Sequence, residues 1–160
     1  MCNGGRLWHA RIPLPLKELS VHQPMEAKKR ILLADDDRED QFIISEAFDE
    51  IGASGIIHFE ENGENVLSWL EKCAVVGGLP ELIVLDLNMP KMNGTQTLLH
   101  LKQDDRFRHI PVIIYSTSLN HLERDECIRL GAHSYVIKGI TFNECKLIAK
   151  TLYDCCTGER

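Results

Sequence analysis

Five positions in this chain have the residue types for a shared piece of chemistry. Asp35 and Asp36 follow the apolar run Ile31–Ala34, Asp86 follows Leu82–Leu85, Ser116 follows Val112–Tyr115, and Lys138 follows Tyr135–Ile137. Carboxylates crowded together repel one another, and their pKa values rise unless a cation holds them. A hard cation with oxygen ligands suits such a group, and Mg²⁺ takes one or two carboxylates while keeping several waters. Lys138 adds a fixed positive charge and Ser116 a hydroxyl donor. Metal, ammonium and hydroxyl around one carboxylate make a receptor for three phosphoryl oxygens. Asp86 would then be the nucleophile, forming an acyl phosphate.

These residues can meet only if the segments before them are strands that end on one edge. The runs Ile31–Ala34, Ile56–Ile57, Leu82–Leu85, Val112–Tyr115 and Tyr135–Ile137 lack strict alternation, as strands buried on both faces of a parallel sheet do. Helical segments lie between them. From Arg38 to Ile51, the residues Ile44, Ala47, Phe48 and Ile51 share a face; from Thr141 to Cys156, Phe142, Cys145, Ile148, Ala149 and Leu152 do. Gly52, Gly77-Gly78 and Gly131 stand where helices should stop. Strand–helix alternation repeated five times predicts an α/β fold with right-handed crossovers. Ligands of such open sheets bind at the carboxyl ends of the strands, where strand order reverses.

Composition narrows the function classes. The 160 residues suffice for one well-packed domain. No run reaches the ~18–20 apolar residues of a membrane span. The greasy stretch Ile12–Leu16 is short and broken by Pro13 and Pro15, so no secretory signal forms and a cytoplasmic protein is expected. Residues 1–27 lack any sustained period and are expected to form a disordered tail. Residues 1–30 hold six Lys/Arg against two Asp/Glu, which leaves the remainder at a net charge of −10. Such a body repels phosphate backbones and argues against nucleic-acid binding. The six cysteines form no C-x-x-C pair and are read as reduced, mostly core-filling thiols. The seven histidines show no zinc spacing.

Four segments in order carry a resemblance. Ile31-Leu32-Leu33-Ala34-Asp35-Asp36-Asp37, Leu85 to Gly94, Pro111 to Ser116, and Tyr135-Val136-Ile137-Lys138 are similar to the signature of response-regulator receiver domains. The resemblance implies a receiver domain over residues 28–156, with a flavodoxin-like, doubly wound sheet of five parallel strands in the order 2-1-3-4-5. Asp35 and Asp36 would hold Mg²⁺, directly or through water. Asp86 would be both ligand and phosphoacceptor, and Asn88 would offer its backbone carbonyl. Lys138 would contact the phosphoryl group. Ser116 and Tyr135 match the family's switch, in which a hydroxyl moves inward and an aromatic ring follows. Thr117 fills a position where the family usually has Ala or Gly, which narrows access to the phosphoryl pocket. Gly139 replaces the usual proline after the lysine; a trans bond is expected there, because a cis bond without proline costs ~2.5–4 kcal/mol. Asp37 is expected to be an N-cap.

The resemblance also implies partners. A sensor histidine kinase or a histidine phosphotransfer protein would donate the phosphoryl group, and a downstream protein would be engaged through the helix 4–strand 5–helix 5 surface. The chain ends soon after the last helix, so output through protein contact, as a monomer or weak dimer, is expected. Phe42 points away from the buried stripe of its helix at ~100° per residue and is the expected docking residue for the donor. Leu147, among Asn143, Lys146, Lys150 and Asp154, is a second candidate for partner contact. No separate substrate turnover is expected. A haloacid-dehalogenase-type hydrolase would want an Asp two positions after its nucleophile, where this chain has Asn88, and would carry that nucleophile on the first strand. A phosphate-independent scaffold would require an incomplete pocket.

Overall fold

Wholly buried runs, mostly of Ile, Leu, Val and Ala, build the centre of the sheet in a computed structural model that describes residues 30–158. These runs are β1 (Ile31–Ala34), β3 (Leu82–Leu85) and β4 (Val112–Ser116). The edge strands β2 (Ile57–Glu60) and β5 (Ser134–Ile137) are partly exposed. All pairs are parallel, in the order β2-β1-β3-β4-β5. Five helices, α1 (Arg38–Glu50), α2 (Gly63–Val76), α3 (Gly94–Gln103), α4 (His121–Arg129) and α5 (Phe142–Thr157), alternate with the strands.

Alternate residues of each central strand serve opposite faces, as the pleat requires. Leu32, Ile83, Leu85 and Ile114 pack with Val66 and Leu70 of α2, Leu98 and Leu101 of α3, and Cys127 of α4. Ile31, Leu33, Val84 and Ile113 pack with Ile44, Ala47 and Phe48 of α1 and with Cys145, Ala149 and Leu152 of α5. Each buried Val, Leu, Ile or Phe among them contributes about 1.5–3 kcal/mol. Burial on both faces removes the alternation, which is why these strands read as continuous apolar runs.

Local chemistry sets the helix ends. The Asp37 carboxylate accepts from the N–H groups of Glu39 and Asp40, so the expected N-cap of α1 is present. Thr141 and Glu144 form a capping box at the start of α5. Three sequence expectations shift. The second strand lies later than Ile56–Ile57, because Phe59 and Glu60 on a half-buried edge give a weak apolar signal. Phe142, expected on the buried stripe of α5, is 44% exposed: it opens the helix, one turn before Cys145 turns inward. Of the described cysteines, Cys127, Cys145 and Cys156 are buried, Cys73 is half-buried and Cys155 is exposed. The expected tail of residues 1–27 lies outside the described residues. Among those described, no helix is long and apolar enough to cross a membrane.

Candidate functional site

Strand order reverses between β1 and β3, and the chemistry gathers there. Ala34 stands in register with Leu85, so the next residues, Asp35 and Asp86, end neighbouring strands side by side. Asp36 completes the group: one carboxylate oxygen from each of Asp35, Asp36 and Asp86 lies within 4.8 Å of the others. Asp35 and Asp86 are buried, while Asp36 is exposed. The Asp37 N–H donates to Asp35 Oδ1 at 3.0 Å, and Gln41 Nε2 donates to the Asp35 carbonyl at 2.6 Å, which ties the pocket to α1. Burial pushes the Asp86 carboxyl up to about 6. The Lys138 charge opposes that rise, the nearby Asp35 adds to it, and the N–H groups of Leu87 and Asn88 oppose it. Burial also raises Asp35, against the hydrogen bond from Lys138.

Gly94 lets the loop after β3 close over Asp86. A Cβ there would lie 2.1 Å from the Asp86 carbonyl oxygen, so no other residue fits. Its N–H donates to the Leu87 carbonyl at 3.1 Å, and Asn93 with Gln96 caps α3 directly after the turn.

Lys138 arrives from the end of β5. Its Nζ lies 2.6 Å from Asp35 Oδ2, 2.8 Å from Asp40 Oδ2 and 3.8 Å from Asp86 Oδ2. It also stands 5.6 Å from the centre of the Tyr115 ring. Burial alone would lower the pKa of this ammonium, but hydrogen bonds to Asp35 and Asp40 and the charges of Asp35 and Asp86 together raise it. Lys138 is therefore a fixed cation. The Lys138–Gly139 bond is trans, as expected. A Cβ at Gly139 would meet Cys145 N and Glu144 Cβ at 3.0 Å, so the turn into α5 is built around glycine.

Asp40 was not singled out in the sequence. It is one of several acidic residues at the start of α1, and such residues are ordinary there because they complement the helix dipole. Only the fold, by carrying residue 138 to the first turn of α1, gives Asp40 a partner.

The remaining candidates take these places. Ser116, fully buried at the end of β4, accepts a hydrogen bond at Oγ from the Ser118 N–H at 3.2 Å. Thr117 is exposed. Tyr135 is half-buried against the core, and its hydroxyl donates to the Ser118 carbonyl at 3.0 Å, so Ser116 and Tyr135 meet through one loop residue. Asn88 is exposed beside Asp86. Phe42 is 65% exposed, in a shallow groove with Arg38, Gln41, Ser45 and Phe59. Leu147 is 68% exposed on α5. Neither belongs to the carboxylate group of the acidic pocket.

The donor set fits Mg²⁺. Three carboxylates present oxygens alone, which is the chemistry of a hard cation. The raised Asp86 carboxyl is what crowding and burial produce in a group that a cation would return to full ionisation.

Comparison with known proteins agrees with this geometry. The family model described as response regulator receiver domain matches residues 31–150. A probable methanogenesis regulatory protein, FilR2 of Methanothrix harundinacea, is 32% identical, with the match covering 72% of this chain and 76% of the relative. The transcriptional regulatory protein CpxR of Klebsiella pneumoniae is 34% identical over 76% of this chain, but only 47% of CpxR is spanned. Among solved structures, the phosphorylated cyanobacterial phytochrome response regulator RcpA superposes with a TM-score of 0.74 at 26% identity, covering 84% of this chain and 97% of RcpA. With five parallel strands in the order 2-1-3-4-5 and an acidic pocket at the switch point, this chain belongs to the response regulator receiver family.

Proposed function

We propose that Asp86 accepts a phosphoryl group from a phosphohistidine of a sensor kinase or phosphotransfer protein, and that the phosphorylated domain signals through protein contacts. The observation that carries this is the placement of a buried carboxylate beside Asp35 and Lys138, at the point where strand order reverses. With its carboxyl at about 6, Asp86 is largely ionised near pH 7 and can attack. An Asp86 oxygen lone pair forms the new P–O bond as the donor's P–N bond breaks, and that bonding pair leaves with the imidazole nitrogen. Lys138 stays protonated and meets a phosphoryl oxygen through a hydrogen bond. Mg²⁺ held by Asp35, Asp36 and Asp86, with the Asn88 carbonyl, supplies positive charge to the phosphoryl oxygens when bound.

The Ser116 hydroxyl would turn from its Ser118 contact toward the phosphoryl group, past Thr117. Because Tyr135 is bonded to that same Ser118, its ring would follow, which changes the surface of α4, β5 and α5. Phe42 on α1 would receive the donor, and Leu147 on α5 would meet a partner or a second copy. The domain extends over residues 28–156, works in the cytoplasm without nucleic acid, and is a monomer or weak dimer. A hydrolase is not favoured, since the Asn88 amide cannot serve as a general acid. Acetyl phosphate with Mg²⁺ should add one phosphoryl group per chain, and aryl phosphates should not be turned over. Continuous turnover of phosphate esters would contradict the proposal.

A further inference from the structure

Lys138 is held by a carboxylate that the acidic pocket does not need. A lysine ammonium has three protons to donate. Asp35 takes one at 2.6 Å and Asp40 a second at 2.8 Å, while Asp86 at 3.8 Å is beyond hydrogen-bonding distance. The ammonium is thus drawn away from the nucleophile toward α1. A lysine bonded directly to bare Asp86, at about 2.8 Å, would fill the space a phosphoryl oxygen needs and would have to retreat as the bond formed. At 3.8 Å it leaves room for that oxygen and keeps a proton free to meet it. Asp35 cannot set this distance alone, because it belongs to the carboxylate group proposed to hold the cation. Asp40 lies outside that group, on a helix whose start is fixed by the Asp37 cap.

We propose that Asp40 is a positioning residue for phosphoryl transfer: it holds the Lys138 ammonium back from Asp86, at the distance where its third proton meets an incoming phosphoryl oxygen. The proposal rests on Asp86 being the acceptor. Asp40 touches neither the phosphorus nor the nucleophile. When acetyl phosphate is the donor, the Asp86–phosphorus bond forms, the phosphorus–acetate bond breaks, and acetate leaves with the electron pair. No proton moves to or from Lys138 or Asp40. Lys138, already placed, spends little reorganisation in the step.

The test measures labelling by acetyl phosphate at saturating Mg²⁺ in wild type, Asp40→Ala, Lys138→Ala and the double variant. Asp40→Ala should lower the maximal rate about tenfold, with little change in the donor concentration giving half that rate. In the Lys138→Ala background, where label is followed for longer, the same substitution should cause no further slowing. Asp40→Asn keeps an acceptor oxygen without the charge and should fall between, which also serves if the alanine variant folds poorly. A readout free of metal and donor is the ¹H–¹⁵N signal of the Lys138 ammonium, whose slow exchange should be lost in Asp40→Ala. Asp40→Ala labelled at the wild-type rate or faster would overturn the proposal, as would equal slowing in both backgrounds. Wild-type protein that takes no label would instead overturn the assignment of Asp86.

Discussion

At the scale of single residues, the site is a balance of charges that the fold forces together. Asp86 shows the cost most directly. Its carboxyl is at about 6 in the folded chain against ~3.9 for a free aspartate, so folding favours its protonated form. The stability linked to this group is complete below about pH 4 and is lost as pH rises through about 6, at roughly 3 kcal/mol for two pKa units. Without Mg²⁺, therefore, Asp86→Asn should be more stable than wild type near pH 7 by about 1–3 kcal/mol, and the advantage should vanish below pH 4. Denaturant titrations at several pH values would show it. Added Mg²⁺ should stabilise wild type by mass action and do far less for the variant. A wild-type protein at least as stable as Asp86→Asn at neutral pH without metal would contradict the charge balance described here.

At the scale of elements, the strands deliver the reactive groups and the helices fix their surroundings. The three central strands were legible in the sequence because burial on both faces leaves unbroken apolar runs. The edge strand β2 was legible only in part, since its second half is the mixed His58-Phe59-Glu60. Phe142 misled because an apolar residue at the opening of a helix can share the period of the buried stripe without reaching the core. Asp35, Asp36, Asp86 and Lys138 could be read from their places at strand ends. Asp40 could not, because its meaning depends on a contact 98 positions away. The order of the strands came from the family resemblance rather than from any pattern in the runs. On α1, Phe42 projects from the helix that also carries the pocket-facing Gln41 and Asp40. Phe42→Ala should slow phosphotransfer from a cognate kinase while leaving acetyl phosphate labelling unchanged. Equal loss in both assays would remove Phe42 as a docking residue.

At the scale of the whole molecule, one edge of the sheet gathers the acidic pocket and Lys138, while α1 and α5 each carry an exposed apolar residue, Phe42 and Leu147. Leu147 on α5 is far more exposed than the stripe of Cys145, Ala149 and Leu152 that anchors its helix, so substituting it leaves the core intact. A phosphorylation-dependent dimer or partner complex should weaken in Leu147→Glu, measured by sedimentation or titration against the phosphorylated protein. No change would return Leu147 to an ordinary exposed leucine. In the proposed function the link between chemistry and surface runs through Ser116, Ser118 and Tyr135, whose hydrogen bonds join the end of β4 to β5. All of this presupposes that the phosphoryl group lands on Asp86. The most direct measurement is intact-protein and peptide mass spectrometry after exposure to acetyl phosphate and Mg²⁺, on wild type and Asp86→Asn side by side. One phosphoryl group on the wild-type peptide containing Asp86, and none on the variant, is the predicted result; equal labelling of the variant would contradict the account.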